Sequence, residues 1–277
     1  MENGVTYIDV DAFHTCNNLK KMIIEDNVEV IKNAAFCYCY SLESLIIGDG
    51  VKEIPTLMCY CNYNLTYLHL GKNVSALGAG YLAECRKLKD VDISKENGNY
   101  IVLDGVVYNS EKNKIVSCPS GISGEFKIKD DVVSIETGAF YGCSLITNID
   151  FGKGVKTINT KAFKDCNGLT ELIIDGNVTD IASDAFHTCS NLKKVKLESN
   201  VTNLLGACFC WCSNLEEVEI GNGVKSIGVN LFYGDSKLTK VTYNGSIDEW
   251  NKITKKSGWN ANTKIQTIIC EDGNIEL

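Results

Sequence analysis

Apolar residues recur along this chain with a fixed period. The repeated pattern is L-x-x-L-x-I-x-x-x-V-x-x-I-x-x-x-A-F-x-x-C-x-x, and segments 19–41, 169–191 and 192–214 follow it closely. Such a fixed spacing indicates a repeat architecture, in which each unit buries its apolar face against its neighbours. The first position of the pattern is occupied by Leu19, Leu42, Leu65, Leu88, Ile146, Leu169, Leu192, Leu215 and Leu238.

Each repeat predicts two short strands joined by turns. The L-x-x-L-x-I section alternates apolar and variable residues, which is typical of a strand with one face in the core. Strands from successive repeats are then expected to stack about 4.8 Å apart in one parallel sheet. V-x-x-I predicts a second short segment on the return side, and the Ala-Phe pair predicts a helical turn that packs the phenylalanine inward. The predicted fold is therefore an α/β solenoid, a leucine-rich-type superhelix with short helical turns on its return side.

One section departs from the repeat. The interval from Leu88 to Ile146 exceeds two repeats by about half a repeat. Within it, residues 100–103 and 106–108 alternate around Asp104-Gly105, a strong signal for a β-hairpin. We therefore expect one inserted hairpin within a continuous solenoid domain. Its predicted parts are an N-terminal repeat block (1–93), an irregular repeat with the hairpin (94–125), a C-terminal repeat block (126–243) and a capping coil (244–277).

Composition narrows the classes of function. The formal net charge of −8, with no basic run, argues against a nucleic-acid partner, because phosphate binding requires clustered Lys and Arg. No apolar stretch approaches the roughly 20 residues needed to span a bilayer, so no membrane insertion is expected. The first residues lack the charged and apolar regions of a signal peptide.

The repeat resembles the BspA-like (Treponema-type) class of leucine-rich repeats. The resemblance rests on I-x-x-x-A-F-x-x-C followed by L-x-x-L-x-I, on the irregular unit within 99–124, and on the C-terminal SIDEWNKI segment. It implies a right-handed solenoid, often found on the surface of host-associated anaerobic bacteria and some protozoa, that acts in adhesion or protein binding. Two repeats depart from the pattern, with Met58-Cys59 at the Ala-Phe position and Asp235 at the cysteine position.

Seven of the fourteen cysteines occupy one repeat position. We interpret them as a buried ladder of free thiols that reach backbone carbonyl groups at the turns. A zinc site is a weaker alternative, because Cys37-x-Cys39 and Cys59-x-Cys61 lie in neighbouring repeats but lack the usual C-x-x-C spacing. The ladder cysteines are Cys16, Cys39, Cys85, Cys143, Cys166, Cys189 and Cys212.

No motif for catalysis is evident. The sequence has no G-x-S-x-G elbow, H-E-x-x-H helix or P-loop. Two of its three histidines, His14 and His187, stand in identical A-F-H-T-C contexts and so belong to the repeat. We therefore expect a protein that is not an enzyme and has no catalytic residue, metal or cofactor.

The variable strand positions predict a binding surface. Side chains between the buried positions of a strand point outward, and such rows form the face that solenoids use for recognition. The face is mixed, with an apolar and aromatic start, an acidic centre and a basic step before further acids, and this mixture suits a protein ligand. The predicted contact residues are Ile23, Ile46, Tyr67, His69, Asp90, Asp92, Asn148, Asp150, Glu171, Ile173, Lys194, Lys196, Glu217 and Glu219.

Other interpretations stay open at this point. The outward isoleucines are compatible with ordinary strand composition, and the charges with simple solvation. The hairpin near Asp104 is a second candidate contact site, since loops on a rigid scaffold often carry function. We expect a monomeric protein-interaction module, of an adhesin type at the cell surface or secreted, that binds host or matrix proteins. The alternative is an intracellular scaffold or signalling module of the same fold.

Overall fold

A computed structural model describes residues 4–175 and 177–277. Residues 1–3 of the predicted N-terminal repeat block and Gly176 of the C-terminal block lie outside the described residues. The chain divides into two compact units, each of which is described by itself. The first unit comprises Met1–Ser123 and Gly138–Leu145, and the second comprises Gly124–Thr137 and Ile146–Leu277.

The first unit contains a parallel sheet with the repeat's own register. Its strands are β1 (Tyr7–Ile8), β2 (Lys21–Ile24), β3 (Val30–Ile31), β4 (Ser44–Ile47), β5 (Glu53–Ile54), β6 (Tyr67–Leu70), β7 (Ala76–Leu77), β8 (Asp92–Ile93), β9 (Tyr100–Leu103), β10 (Val106–Asn109) and β11 (Lys114–Ser117). Strands β2, β4, β6 and β8 pair in that order, and Lys21, Ser44 and Tyr67 occupy equivalent positions of successive repeats. On the return side, β1 pairs with β3 and β5 with β7, also in parallel.

The inserted hairpin is confirmed. β9 and β10 are antiparallel and pair Leu103 with Val106 across the turn, and β11 continues the ribbon. Asp104 and Gly105 have φ angles of 52° and 82°, the two positive values that this tight turn requires. A Cβ atom on Gly105 would lie 2.5 Å from the carbonyl oxygen of Lys89, so only glycine fits there.

The second unit repeats the same arrangement. Its strands are β12 (Gly124–Lys127), β13 (Ser134–Ile135), β14 (Ile146–Asp150), β15 (Thr157–Ile158), β16 (Glu171–Ile174), β17 (Asp180–Ile181), β18 (Lys194–Leu197), β19 (Asn203–Leu204), β20 (Glu217–Gly221), β21 (Ser226–Ile227), β22 (Lys240–Asn244), β23 (Thr254–Lys255), β24 (Thr267–Cys270) and β25 (Gly273–Glu276). The main sheet has the order β16-β18-β20-β22-β24-β25, the return strands have the order β13-β15-β17-β19-β21-β23, and β12 pairs with β14.

The helical turns expected around the Ala-Phe pair are not confirmed, because these segments are sets of turns. Residues four apart take positive φ, as in Ala34 (58°) and Tyr38 (57°), and left-handed backbone ends a helix. The N–H groups donate to the following repeat, Phe36 to the carbonyl of Met58 (3.0 Å) and Tyr38 to that of Tyr60 (2.9 Å). The same direction is seen in the second unit, in the pairs Phe163–Ala185, Phe186–Cys208, Phe209–Leu231 and Phe232–Trp259.

Stacked phenylalanine rings form the centre of each core. In the second unit, Phe163, Phe186, Phe209 and Phe232 stack with ring centroids 5.1 to 6.0 Å apart. In the first unit the stack from Phe13 to Phe36 (5.1 Å) is followed by Met58-Cys59, which are buried at the Ala-Phe position of the next repeat. Each core is therefore continuous, but only the second has an uninterrupted aromatic column.

The second unit ends in a coil with the one helix of the described residues, α1 (Ile247–Lys252). Ser246 and Glu249 form a capping box at its start, which satisfies two backbone N–H groups. Trp250 and Trp259 pack their rings 5.9 Å apart and cover the end of the aromatic column at Phe232. No helix among the described residues has the length and apolar character of a membrane crossing.

Each unit is thus built of stacked parallel strands in the manner of a β-solenoid, and the described residues contain almost no helix. The α/β class expected from the sequence is correct in its parallel sheets and too rich in helix. The right-handed sense and the division into four blocks stay predictions.

Candidate protein-binding face

The outward face of each main sheet follows from strand alternation. In β4, Leu45 and Ile47 are fully buried, whereas Ser44 and Ile46, which alternate with them, are partly exposed. In β16, Leu172 and Ile174 are buried in the same way. Every residue predicted to lie on this face is at least partly exposed.

The first unit presents apolar side chains on this face. Ile23 is 49% exposed and Tyr67 is 42% exposed, and the half-buried Ile46 lies between their strands. Strand register places Ile23, Ile46 and His69 in one row, with Tyr67 in the next. We call Ile23, Ile46, Tyr67 and His69 the apolar patch.

A hydrogen-bonded group of three side chains borders the patch. The hydroxyl of Tyr67 donates to Oδ2 of Asp92 (2.9 Å), and Nδ1 of His69 lies 2.8 Å from the same oxygen. The hydrogen bond with His69 is the main cause that lowers the pKa of Asp92 below its ordinary value. The hydrogen bond to Asp92 in turn raises the pKa of the Tyr67 phenol. Asp92 therefore stays a carboxylate and holds both rings in place.

A groove of about 750 Å³ lies next to this group, between β8 and the hairpin. Its lining includes Asp90, Asp92, Lys95, Tyr100 and Asp104. Three carboxylates against one ammonium give the groove an acidic character. The two candidate contact sites predicted from the sequence, the sheet face and the hairpin, thus meet at one groove in the first unit.

The outward face of the second unit is occupied by ion pairs between neighbouring strands. Lys194 and Lys240 flank Glu217, and Nζ of Lys194 lies 3.9 Å from its carboxylate. The hydrogen bond from Lys240 lowers the pKa of Glu217. Lys196 pairs with Glu219 (3.8 Å) in the next row. The basic step predicted from the sequence is therefore neutralised by the acids beside it.

The remaining predicted residues are distributed between the units. Of the predicted acidic centre, Asp90 and Asp92 lie in the first unit. The other members, Asn148, Asp150 and Glu171, lie in the second. Nζ of Lys127 lies 3.2 Å from Oδ2 of Asp150. Ile173 is 53% exposed and stands among charged side chains.

The interpretation of the ladder cysteines is confirmed for most of them, since all except the half-buried Cys16 are buried. Several of their Sγ atoms donate to carbonyl oxygens of the preceding repeat, as in Cys39 to Phe13 (2.9 Å) and Cys189 to Phe163 (3.2 Å). Cys37, from the zinc alternative, donates instead to the carbonyl of Leu57 (2.9 Å). Across residues 4–175 and 177–277, no three His, Cys, Asp or Glu side chains are arranged to hold a metal ion.

An exposed aromatic cluster on the turns of the first unit was not predicted from the sequence. The rings of Tyr38 and Tyr60 meet edge to face (5.5 Å), and those of Tyr40 and Tyr63 stack (5.6 Å). The guanidinium of Arg86 lies 5.5 Å from the ring centroid of Tyr63. The sequence does carry a signal for this cluster. Tyr40 and Tyr63 lie one repeat apart, and each directly follows the repeat position that the ladder cysteines occupy.

Comparison with known proteins agrees with this geometry. A model of the BspA type leucine rich repeat region matches residues 1–115 and 133–257, as six copies. The chain belongs to the BspA-type leucine-rich repeat family. Membership in this family is consistent with a protein-interaction module, and no catalytic family is indicated. No curated protein sequence matches the chain.

Solved structures of other leucine-rich repeat proteins share the fold. A leucine-rich repeat protein from Eubacterium ventriosum is 23% identical, with a TM-score of 0.67 over 95% of this chain and 82% of its own. The pneumococcal vaccine antigen PcpA is 20% identical, with a TM-score of 0.60 over 92% and 68%. A leucine rich cell surface protein from Faecalibacterium prausnitzii is 22% identical, with a TM-score of 0.51 over 92% and 73%.

Proposed function

We propose that this BspA-type repeat protein binds a protein partner through the sheet face of its first unit, and that it acts as an adhesin at the cell surface or after secretion. The observation that carries the proposal is the apolar patch, where Ile23 and Tyr67 expose 49% and 42% of their surface on one rigid sheet. Aromatic and aliphatic side chains in the centre of a contact area supply most of the binding free energy in protein complexes.

The acidic groove beside the patch indicates the chemistry of the partner. Asp90, Asp92 and Asp104 line it together with Lys95. Such a surface favours a partner that presents an apolar side chain flanked by lysine or arginine, because complementary charges steer encounter and fix orientation. The partner is thus expected to be a basic segment of a host or matrix protein.

The location outside the cell is supported by similarity and is compatible with the thiols. One structural neighbour is described as a leucine rich cell surface protein and another as a vaccine antigen. Thirteen of the fourteen free cysteines are buried. Burial raises the pKa of Cys37 and of Cys39 to about 11, so these thiols stay protonated and resist oxidation. The high cysteine content therefore does not require a reducing compartment.

Binding to immobilised host matrix and plasma proteins tests the proposal. For a partner found in this way, we expect Ile23→Ser and Tyr67→Ala each to weaken binding at least tenfold, as central contact residues do. Ile173→Ser is the matched control, because Ile173 is an outward isoleucine of similar exposure in the second unit and is expected to leave the Kd unchanged. Equal losses for Ile23→Ser and Ile173→Ser would contradict the assignment of the face.

The intracellular scaffold remains the second candidate, and the presence of fourteen free cysteines is the observation that favours it. Surface biotinylation of intact cells of the source organism separates the two. Labelling of this protein supports the adhesin, whereas labelling only after lysis supports the scaffold.

A further inference from the structure

The side chain at the repeat position of the ladder cysteines, which we call the ladder position, acts as a hydrogen-bond donor in this fold. In several repeats, the cysteine or asparagine that stands there donates a side-chain hydrogen bond to the backbone carbonyl at the aromatic position of the preceding repeat. The donor and acceptor residues are Cys39 and Phe13 (2.9 Å), Asn62 and Phe36 (2.9 Å), Cys85 and Cys59 (3.0 Å), Cys189 and Phe163 (3.2 Å), and Cys212 and Phe186 (3.3 Å).

Asp235 occupies the same position in the last full repeat. Its side chain is fully buried, and neither carboxyl oxygen has a hydrogen-bond partner within the part of the chain that the structure describes. The register of the ladder places it opposite the carbonyl of Phe209. An ionised carboxylate only accepts hydrogen bonds, so it would set acceptor against acceptor in a buried site. A protonated carboxyl would donate, as the thiols and the amide do.

The described groups around Asp235 offer no compensating cation. The preceding turn contributes Cys210 and Cys212, and burial raises the pKa of both thiols, so they stay neutral and supply no positive charge. The N–H of Cys212 is already donated to the carbonyl of Phe209 at 3.3 Å. The lysines of the same turn and of the following coil, such as Lys237 and Lys264, have exposed side chains.

We propose that Asp235 is a neutral carboxylic acid in the folded protein, that it donates its proton to the carbonyl of Phe209, and that it makes the second unit less stable as the pH rises from acidic to mildly alkaline values. Burial raises the pKa of Asp235 to about 9, although the N–H dipole of Cys212 acts in the opposite direction. In the unfolded chain the same carboxyl titrates near its ordinary pKa of about 3.9.

The sign of the pH dependence follows from these two values. Between about pH 4 and pH 9 the folded protein holds a proton that the unfolded chain has released. The stability that the proton brings is complete below about pH 4 and is lost as pH rises towards 9. Each pH unit in that window raises the equilibrium constant for unfolding of this unit by up to about tenfold.

Equilibrium unfolding in urea at pH 5, 6.5 and 8, in reducing buffer, tests the proposal. Fluorescence follows the second unit, because all three tryptophans lie in it. Compared with Asp235→Asn, the natural protein should become progressively easier to unfold with pH, by at least tenfold in the unfolding constant from pH 5 to pH 8. Asp235→Cys restores the residue of the repeat and should behave like Asp235→Asn, which keeps the test valid if one variant does not fold.

A matched variant in the first unit tests whether a carboxyl introduced at the ladder position creates the same pH dependence. Asn62→Asp places a carboxyl at the same ladder position, and circular dichroism should then show a new loss of stability with rising pH. The protonation itself is measured by the ¹³C signal of the Asp235 carboxyl. A shift that keeps the value of a protonated carboxyl from pH 3 to pH 8 supports the neutral acid. Titration near pH 4, or a difference between Asp235→Asn and the natural protein that does not vary with pH, would overturn the proposal.

Discussion

The two units are built from the same repeat but use their aromatic and charged residues differently. The second unit stacks four phenylalanines inside and pairs lysines with glutamates on its sheet face. The first unit has a shorter phenylalanine stack, exposes tyrosines on its turns and carries an apolar patch on its sheet. The difference teaches that the repeat constrains only the interior. A face whose charges already satisfy one another has less to offer a partner than one with exposed apolar surface.

Substitutions in the aromatic column are expected to show the largest difference in stability loss between the two units. Phe186→Ala removes a fully buried ring between two others and should lower the free energy of unfolding by about 3–5 kcal/mol. Cys59→Ala, at the equivalent position of the first unit, removes one sulfur atom and should cost about 1 kcal/mol. Urea unfolding followed by circular dichroism measures both. Similar losses would show that the column does not distinguish the two cores.

The hydrogen bonds at the ladder position are expected to contribute less to the free energy of unfolding than the aromatic column. Asn62 donates to the carbonyl of Phe36 and accepts the N–H of Cys39 (2.8 Å), so Asn62→Ala leaves two buried backbone groups unpaired. We expect a loss of about 2 kcal/mol in the free energy of unfolding. Asn62→Cys is the control, because it restores the thiol donor and should recover at least half of that loss in urea unfolding. A variant Asn62→Ala as stable as the natural protein would contradict this role.

The ion pairs on the sheet face of the second unit are expected to contribute least to the free energy of unfolding. Glu217→Gln removes the shared acceptor of Lys194 and Lys240 and should cost about 0.5 kcal/mol at low salt. Because the pKa of Glu217 is lowered in the folded state, its contribution is present above about pH 4.5 and is lost as pH falls. Thermal unfolding in 20 mM and 500 mM NaCl should show the difference shrinking with screening. A difference that persists in 500 mM NaCl would mean that the substitution disturbs packing instead.

Much of the fold could be predicted because the repeat specifies it. The positions of Leu45 and Ile47 follow from alternation alone, and the hairpin follows from Asp104-Gly105 because both residues accept positive φ. The helical turns expected at the Ala-Phe pairs are not confirmed. The positive φ of Ala34 and Tyr38 depends on hydrogen bonds to the next repeat, which no local propensity encodes.

The surface was less predictable than the interior. The residues of the outward rows are all at least partly exposed, as strand alternation predicts. The pairing of Lys196 with Glu219 and the bonds of Asp92 to its neighbours depend on side-chain conformations that sequence spacing does not specify. Asn62 was not identified from the sequence as a ladder residue because it is not a cysteine. Its side chain nevertheless donates the equivalent hydrogen bond to the backbone carbonyl of the preceding repeat. Departures from a repeat are therefore as informative as its regular positions.

The one-way hydrogen bonds of the turns have a consequence for synthesis of the chain. Phe36 and its equivalents donate forward, to carbonyl groups of the repeat that follows. A ribosome delivers that following repeat later, so every turn waits for one further repeat before its donors are satisfied. For the last repeat the acceptors are the carbonyls of Ser257, Trp259 and Ala261. The donors of that repeat therefore find these backbone partners only after residues 257–261 have been synthesised.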